Sequence, residues 1–218
     1  MDYSRLVLKE LNYNSYLKIP ELLDLQCPIS DPPHHDEMFF IIIHQSFELW
    51  FKEILHETDL LLAFFREGRI SRVLKVIKRV NAILGLLVRK IELLNTLTPV
   101  EFAGFRERLR PASGFQSVQF REIEFAFGLR EEFFFRFFQD DPFALERLRR
   151  RFEAPSVRDE FLAALAADGY PVPRETLEGK GGPPRRVPPG LIETLCRIYT
   201  QPGDQYHWTL VFEALLDL

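Results

Sequence analysis

An all-α domain, a helical bundle, is what this sequence predicts, and three observations predict it. Apolar residues recur at steps of three and four through most of the chain. No two segments alternate apolar and polar residues around a hairpin turn, and no internal repeat marks a solenoid. At roughly 150 residues per domain, 218 residues make one domain with room for a sizeable core.

The elements follow in order. Residues 37–65 carry a wide stripe of Phe40, Ile43, His44, Phe47, Trp50, Phe51, Ile54 and Leu55. Gly68 separates this helix from the next, 70–94, whose core face is Ile70, Val73, Leu74, Ile77, Val80, Leu84, Leu87, Val88, Ile91 and Leu94. Thr98-Pro99 is a start signal, a capping hydroxyl before a first-turn proline, for a short helix through Phe105 to about Leu109. Pro111, Ser113 and Gly114 break it, and a further helix runs from about Ser117 to Phe127 with Gly128 as its stop. The run Phe133 to Phe138 is expected to be buried, closing over the core as the end of a helix. Residues 142–152 and 156–167 read as short amphipathic helices, the second capped by Ser156. Prolines and glycines then crowd 170–190 into a mobile or extended loop, and 191–200 and 204–218 read as two helices docking back on the bundle.

Composition narrows the function classes. An apolar fraction of 46% beside 28% charged residues and a net charge of −4 fits a globular chain and gives no basic footprint for nucleic acid. Arg66, Arg69, Arg72, Lys75, Lys78 and Arg79 do form a basic stripe, but it lies opposite the core stripe and reads as a solvated face. No membrane partner is expected, since no apolar run approaches the length of a membrane span. Cys27 and Cys196, without a signal-like segment, point to a reducing cytoplasm rather than a disulfide framework. Phe is the outlier: 21 Phe against 6 Tyr and 2 Trp predict a dry interior of flat apolar rings.

Against that background a few polar residues stand out. His44 places an imidazole on a very apolar face, where it is either a satisfied core histidine or, with Phe40 four residues earlier, one side of a ring-lined grip for an aromatic ligand. Glu53 and His56 have the Glu-x-x-His spacing of di-iron bundles, but the only partner motif, Asp204 to His207, has Asp in place of Glu. The alternative for Glu48, Glu53, His56 and Glu57 is a solvated or subunit-facing side. Arg106, between Phe102, Phe105 and Leu109, projects a guanidinium beside apolar surface and wants a carboxylate, from the protein or from a ligand. The turn from Pro111 to Ser117 is rich in small side chains that let another plane approach the backbone.

Three strings, LNYNSYLKIPELLDLQ, HHDEMFFIIIHQSFELWFKEILHE and LTPVEFAGFRERLRPASGFQSVQFREIE, occur in that order, and together the chain resembles the tryptophan 2,3-dioxygenase family. The resemblance implies a helical dioxygenase fold and a haem-dependent enzyme that inserts O₂ into the indole ring of L-tryptophan to give N-formylkynurenine, the first step of the kynurenine pathway. It implies that His44 is the distal histidine facing the indole N–H, that Phe40 packs on the indole, and that Ile41, Ile42 and Ile43 join them. Phe102 would make an apolar contact and Arg106 would hold the substrate carboxylate. Ser113 and Gly114 would lie by the haem. Tyr13, Tyr16 and Leu17 would reach into the pocket of a neighbouring subunit of a homotetramer. The family's Trp-Arg-x-Arg-His motif, which carries the proximal haem histidine, and its Gly-rich ammonium loop have no counterpart before Leu218. The chain therefore reads as the N-terminal three-quarters of such an enzyme, with the proximal ligand expected beyond Leu218. The competing reading is a non-catalytic helical oligomer without haem.

Overall fold

Two long antiparallel helices form the spine of the computed structural model, which describes residues 11–178, 187–200 and 206–218. Helix α3 (His35–Arg66) runs into α4 (Ile70–Leu94) through Gly68, whose φ of 66° is left-handed backbone that glycine adopts without steric cost. Ahead of them lie two short helices, α1 (Tyr13–Leu17) and α2 (Ile19–Leu23). After them come α5 (Pro99–Arg106), α6 (Val118–Phe127), α7 (Pro142–Glu153), α8 (Val157–Ala167), α9 (Arg174–Glu178), α10 (Pro189–Thr200) and α11 (Tyr206–Leu216). No strand occurs among the described residues, and none of their helices is long and apolar enough to cross a membrane.

The main core lies where the C-terminal half of α3 packs on α4 and α8, with α11 packed against α4. Ile54, Leu61, Val73, Ile77, Val80, Leu165, Ile198 and Trp208 have essentially no exposed surface there. Trp208 satisfies its one polar atom by donating from Nε1 to Asp168 Oδ2 at 2.6 Å. Helix α11 therefore docks on the bundle as its amphipathic pattern predicts, although Asp204 and the rest of 201–205 lie outside the described residues.

A second, smaller core of Phe125, Phe138, Ala144 and Leu148 joins α6 to α7. The phenylalanine run belongs to it, with two corrections. Glu132–Phe138 is a separate 3₁₀ segment rather than the end of a helix, and only Phe138 is fully buried while Phe133 is exposed. The 3₁₀ winding, three residues per turn, spreads five phenylalanines around the axis, so one face cannot take them all. The outer rings carry Arg136, whose guanidinium lies 3.5 Å from the Phe133 centroid and 4.8 Å from that of Phe137.

Elsewhere the caps do what the sequence asks. Thr98 accepts from Glu101 N and Glu101 returns the bond to Thr98 N, Ser117 caps α6, Ser156 caps α8, and Gly128 ends α6 at φ 99°. Part of the Pro/Gly-rich stretch 170–190 is ordered as α9, with Thr194 Oγ1 donating to the Pro171 carbonyl at 2.6 Å, while 179–186 lie outside the described residues. Glu57 is also corrected: it is buried and paired with Arg79 rather than solvated, because α4 crosses α3 at that turn.

Candidate functional site

The N-terminal half of α3 and the short helix α5 share a cluster of rings. Phe40 lies 5.5 Å from Phe102 in a stacked arrangement and 5.6 Å from Phe105 edge-on, with Phe102 and Phe105 themselves 5.5 Å apart. Phe105 is fully buried; Phe40 and Phe102 are half-buried and form an apolar wall.

His44 stands at the open end of that wall. It is exposed rather than buried, because the packing that covers α3 further on begins only past this turn. Its ring centroid lies 4.0 Å from that of Phe40, and its Nδ1 is 2.7 Å from the Phe40 carbonyl oxygen. A carbonyl can only accept, so Nδ1 carries the proton and Nε2 of the neutral ring is left as an outward-facing acceptor. Of the three isoleucines before it, Ile43 turns inward and is buried, Ile41 is half-buried and Ile42 is exposed.

Arg106 lies one helical turn after Phe102, with its guanidinium carbon 5.7 Å from the Phe102 centroid. It is exposed and makes no ion pair with any described residue, unlike Arg108, which donates to the Asp31 carbonyl at 3.1 Å, and Arg110, which pairs with Glu107 at 3.2 Å. The structure thus brings Phe40, His44, Phe102 and Arg106 together: rings on one side, a hydrogen-bond acceptor at one end, a free guanidinium at the other.

Ser113 and Gly114 sit in the turn after α5. Ser113 Oγ accepts from Phe115 N at 3.3 Å while Gln116 Oε1 accepts from Ser113 N at 2.9 Å. A side chain at Gly114 would meet nothing within 4 Å, and the turn is exposed, held by stacking of Phe115 on Phe137 at 5.7 Å. Tyr13, Tyr16 and Leu17 lie on α1, away from these elements, with Tyr13 73% and Tyr16 70% exposed.

Behind the ring wall is a buried acid that pattern reading passed over. Glu37 is 1% exposed and accepts from Ile29 N at 2.7 Å, from Ser30 N at 3.0 Å and from the Ser30 hydroxyl. Burial would raise its carboxyl, but these three donors outweigh it and hold it below the usual carboxylate value, with His34 adding in the same direction. His34 in turn lies 5.2 Å from Phe105. The one sequence signal for this contact was Gly104, a glycine inside a helix, which marks close approach by another group.

The described residues hold no group of three or more His, Cys, Asp or Glu placed for a metal ion; His56 is exposed and Glu57 is committed to Arg79. The di-iron pattern therefore assembles no site among them. The basic stripe is exposed and partly paired, Arg66 with Glu160 at 2.5 Å and Arg69 with Glu67 at 2.9 Å.

The chain is 43% identical over 191 residues to a tryptophan 2,3-dioxygenase of Herpetosiphon aurantiacus, covering 88% of this chain and 73% of the relative. It is 40% identical over 208 residues to one from Arthrobacter sp. strain FB24, covering 95% and 73%, and 37% identical over 210 residues to one from Serratia proteamaculans, covering 96% and 75%. The family profile described as tryptophan 2,3-dioxygenase matches residues 4–168, a span that holds the ring wall, His44, Arg106 and the Ser113 turn. With three quarters of the chain inside the profile and identity near 40% to these relatives, the chain belongs to the tryptophan 2,3-dioxygenase family.

Proposed function

We propose that this chain builds the substrate side of a haem-dependent dioxygenase that converts L-tryptophan and O₂ to N-formylkynurenine, opening tryptophan catabolism by the kynurenine pathway. The observation that carries the reading is the free Arg106 guanidinium at one end of an aromatic wall whose other end is a histidine with an outward acceptor nitrogen. A bidentate arginine suits an amino-acid carboxylate. The indole plane would lie against Phe40 and Phe102, with Ile42 and Ile41 beside it, and its N–H would donate to His44 Nε2. Ile43 faces inward and would support the wall from behind. Together these grips hold a zwitterionic aromatic amino acid in one orientation, and the rings exclude water from around the indole.

Haem, when bound, supplies the activation of O₂. The residues present fit its substrate-facing side: an exposed turn with open space over Gly114, and an imidazole whose Nε2 is not consumed by the protein. Ser113 and Gly114 would line that face. No histidine among the described residues is assigned here as the ligand of the haem iron. We read the chain as one helical domain, acting in the cytoplasm as part of a homotetramer, with α1 presenting Tyr13, Tyr16 and Leu17 to a neighbouring subunit. Their exposure supports that reading, since apolar side chains left in water on a short arm gain by burial against a partner.

The test is spectroscopic. Haem-loaded full-length protein should show a haem absorption band that responds to L-tryptophan, and formation of N-formylkynurenine that depends on L-tryptophan and O₂. A protein that binds haem and ignores every indole amino acid would overturn the substrate assignment; one that folds, oligomerises and takes up no haem would favour the non-catalytic oligomer.

A further inference from the structure

His34 and Gly104 meet where the helix bearing Phe40 and His44 passes the helix bearing Phe102 and Arg106. A Cβ built on Gly104 would lie 2.7 Å from His34 Nε2 and 2.8 Å from its Cδ2, closer than side-chain atoms approach one another. The missing side chain is what lets the imidazole lie directly on the backbone of α5. An interior glycine weakens a helix relative to alanine, so this contact needs a return.

The ring is held from several sides. Nδ1 of His34 accepts from Asp36 N at 3.3 Å, capping α3, and its face lies 5.2 Å from Phe105. The His34 backbone N–H donates to Ser30 Oγ at 3.0 Å, and that hydroxyl donates to buried Glu37. Glu37 thus fixes the 29–34 loop to α3, the loop fixes His34, and His34 rests on α5 at a point two residues from Phe102 and two from Arg106.

We infer that His34 is a positioning residue for the amino-acid substrate: seated on Gly104, it sets the separation of α3 and α5, and with it the distance between the Phe40–His44 wall and the Arg106 guanidinium. The inference rests on the tryptophan reading above. The indole and the carboxylate of the ligand are a fixed span apart. A change in spacing therefore weakens a ligand gripped at both ends and spares one gripped only at the ring.

The experiment compares His34→Ala, Gly104→Ala and the double variant in haem-loaded full-length protein. Calorimetric titration uses L-tryptophan and tryptamine, the same indole without a carboxylate, alongside thermal unfolding. Each single variant should weaken L-tryptophan binding about three- to thirtyfold, the range for residues acting through packing, and change tryptamine binding less than about twofold. In the double variant the new Cβ meets no ring, so its loss should equal that of His34→Ala alone rather than the product of the two. Effects that multiply, or that strike L-tryptophan and tryptamine equally with a fall in Tm, overturn the inference and leave His34 a structural residue. Wild-type protein that binds no L-tryptophan overturns the tryptophan reading and this inference with it.

Discussion

The rings of Phe40 and His44 lie 4.0 Å apart and are joined through the backbone, the His44 Nδ1–H donating to the Phe40 carbonyl oxygen at 2.7 Å. One helical turn therefore fixes the plane of the imidazole and places the hydrogen-bonded proton on Nδ1, leaving Nε2 without a partner in the protein. The contribution expected of such a nitrogen is orientation of a donor. His44→Ala should lower turnover of L-tryptophan roughly ten- to a hundredfold while weakening its binding less than about tenfold, with some activity surviving. Because His44 is exposed, Tm should hardly move. A collapse of folding on this substitution would return His44 to the core.

Arg106 should behave differently, since it supplies charge rather than alignment. Its guanidinium has no acidic partner among the described residues, so nothing in the protein is left unpaired when it is removed. Arg106→Leu should raise the KM for L-tryptophan about tenfold to a hundredfold or more, following roughly 1.5 to 3 kcal/mol for a hydrogen bond to a charged group. Haem content and tryptamine binding should stay near wild type. A KM unchanged within twofold would remove the carboxylate from Arg106.

The difference between these two residues also shows what was legible before the fold was known. Thr98-Pro99, Ser117 and Gly128 are local signals, and each falls at the boundary it predicts, as do the ends of the helix Ile70–Leu94. The stripe of that helix is covered only as far as Leu87; Val88 and Ile91, expected on the core face, are exposed because the main core does not extend along the last turns of α4. Which stretch of a stripe is covered is a tertiary fact. The α3 pattern continues unbroken through His44, yet α4 and α8 cover its other half, so His44 is open while Ile54 is sealed. Glu57 differs from its expectation for the complementary reason: charge suggests solvent, and only the crossing of α4 brings Arg79 to it. Gly104 carried a signal that helix spacing alone could not interpret, because its partner lies seventy residues earlier.

Stability should reside in the main core rather than in the site. Ile77 is fully buried between α3 and α4, and Ile77→Ala leaves a cavity costing about 2–5 kcal/mol, which in a chain of this size lowers Tm by roughly 4 to 20 °C. Lys75→Ala on the exposed side of the same helix should change stability by less than about 0.5 kcal/mol. Thermal unfolding followed by circular dichroism separates the two. Equal effects would mean that α4 does not pack as described.

The opening arm makes its own prediction. It is tied to the bundle by Gln45 Nε2 donating to the Leu25 carbonyl at 2.9 Å and by Gln26 Nε2 donating to Gln45 Oε1 at 2.5 Å, while Tyr13, Tyr16 and Leu17 beyond these ties are left exposed. Deleting residues 1–17 should reduce the molar mass seen by light scattering and weaken L-tryptophan binding without removing haem. Loss of haem instead would make the arm's role structural.

Glu37 gives the sharpest dependence on pH. Its three donors stabilise only the carboxylate, and they hold its ionisation below that of a free glutamate, about 4.3. The unfolded chain therefore binds more protons than the folded one in the interval between the two values, so stability rises with pH across it. The contribution is complete above about 4.3 and is lost as pH falls through the lower, folded value. Glu37→Gln keeps one acceptor but turns an amide N–H₂ toward N–H donors, which should cost about 1–3 kcal/mol at pH 6. Urea midpoints of both proteins between pH 6 and pH 3 isolate this residue, because every other carboxylate titrates in both. The gap between them should be constant from pH 6 to about 5 and narrow below about 4. A gap that stays the same to pH 3 would mean that Glu37 is not held as a carboxylate and that the loop is fixed to α3 by other contacts.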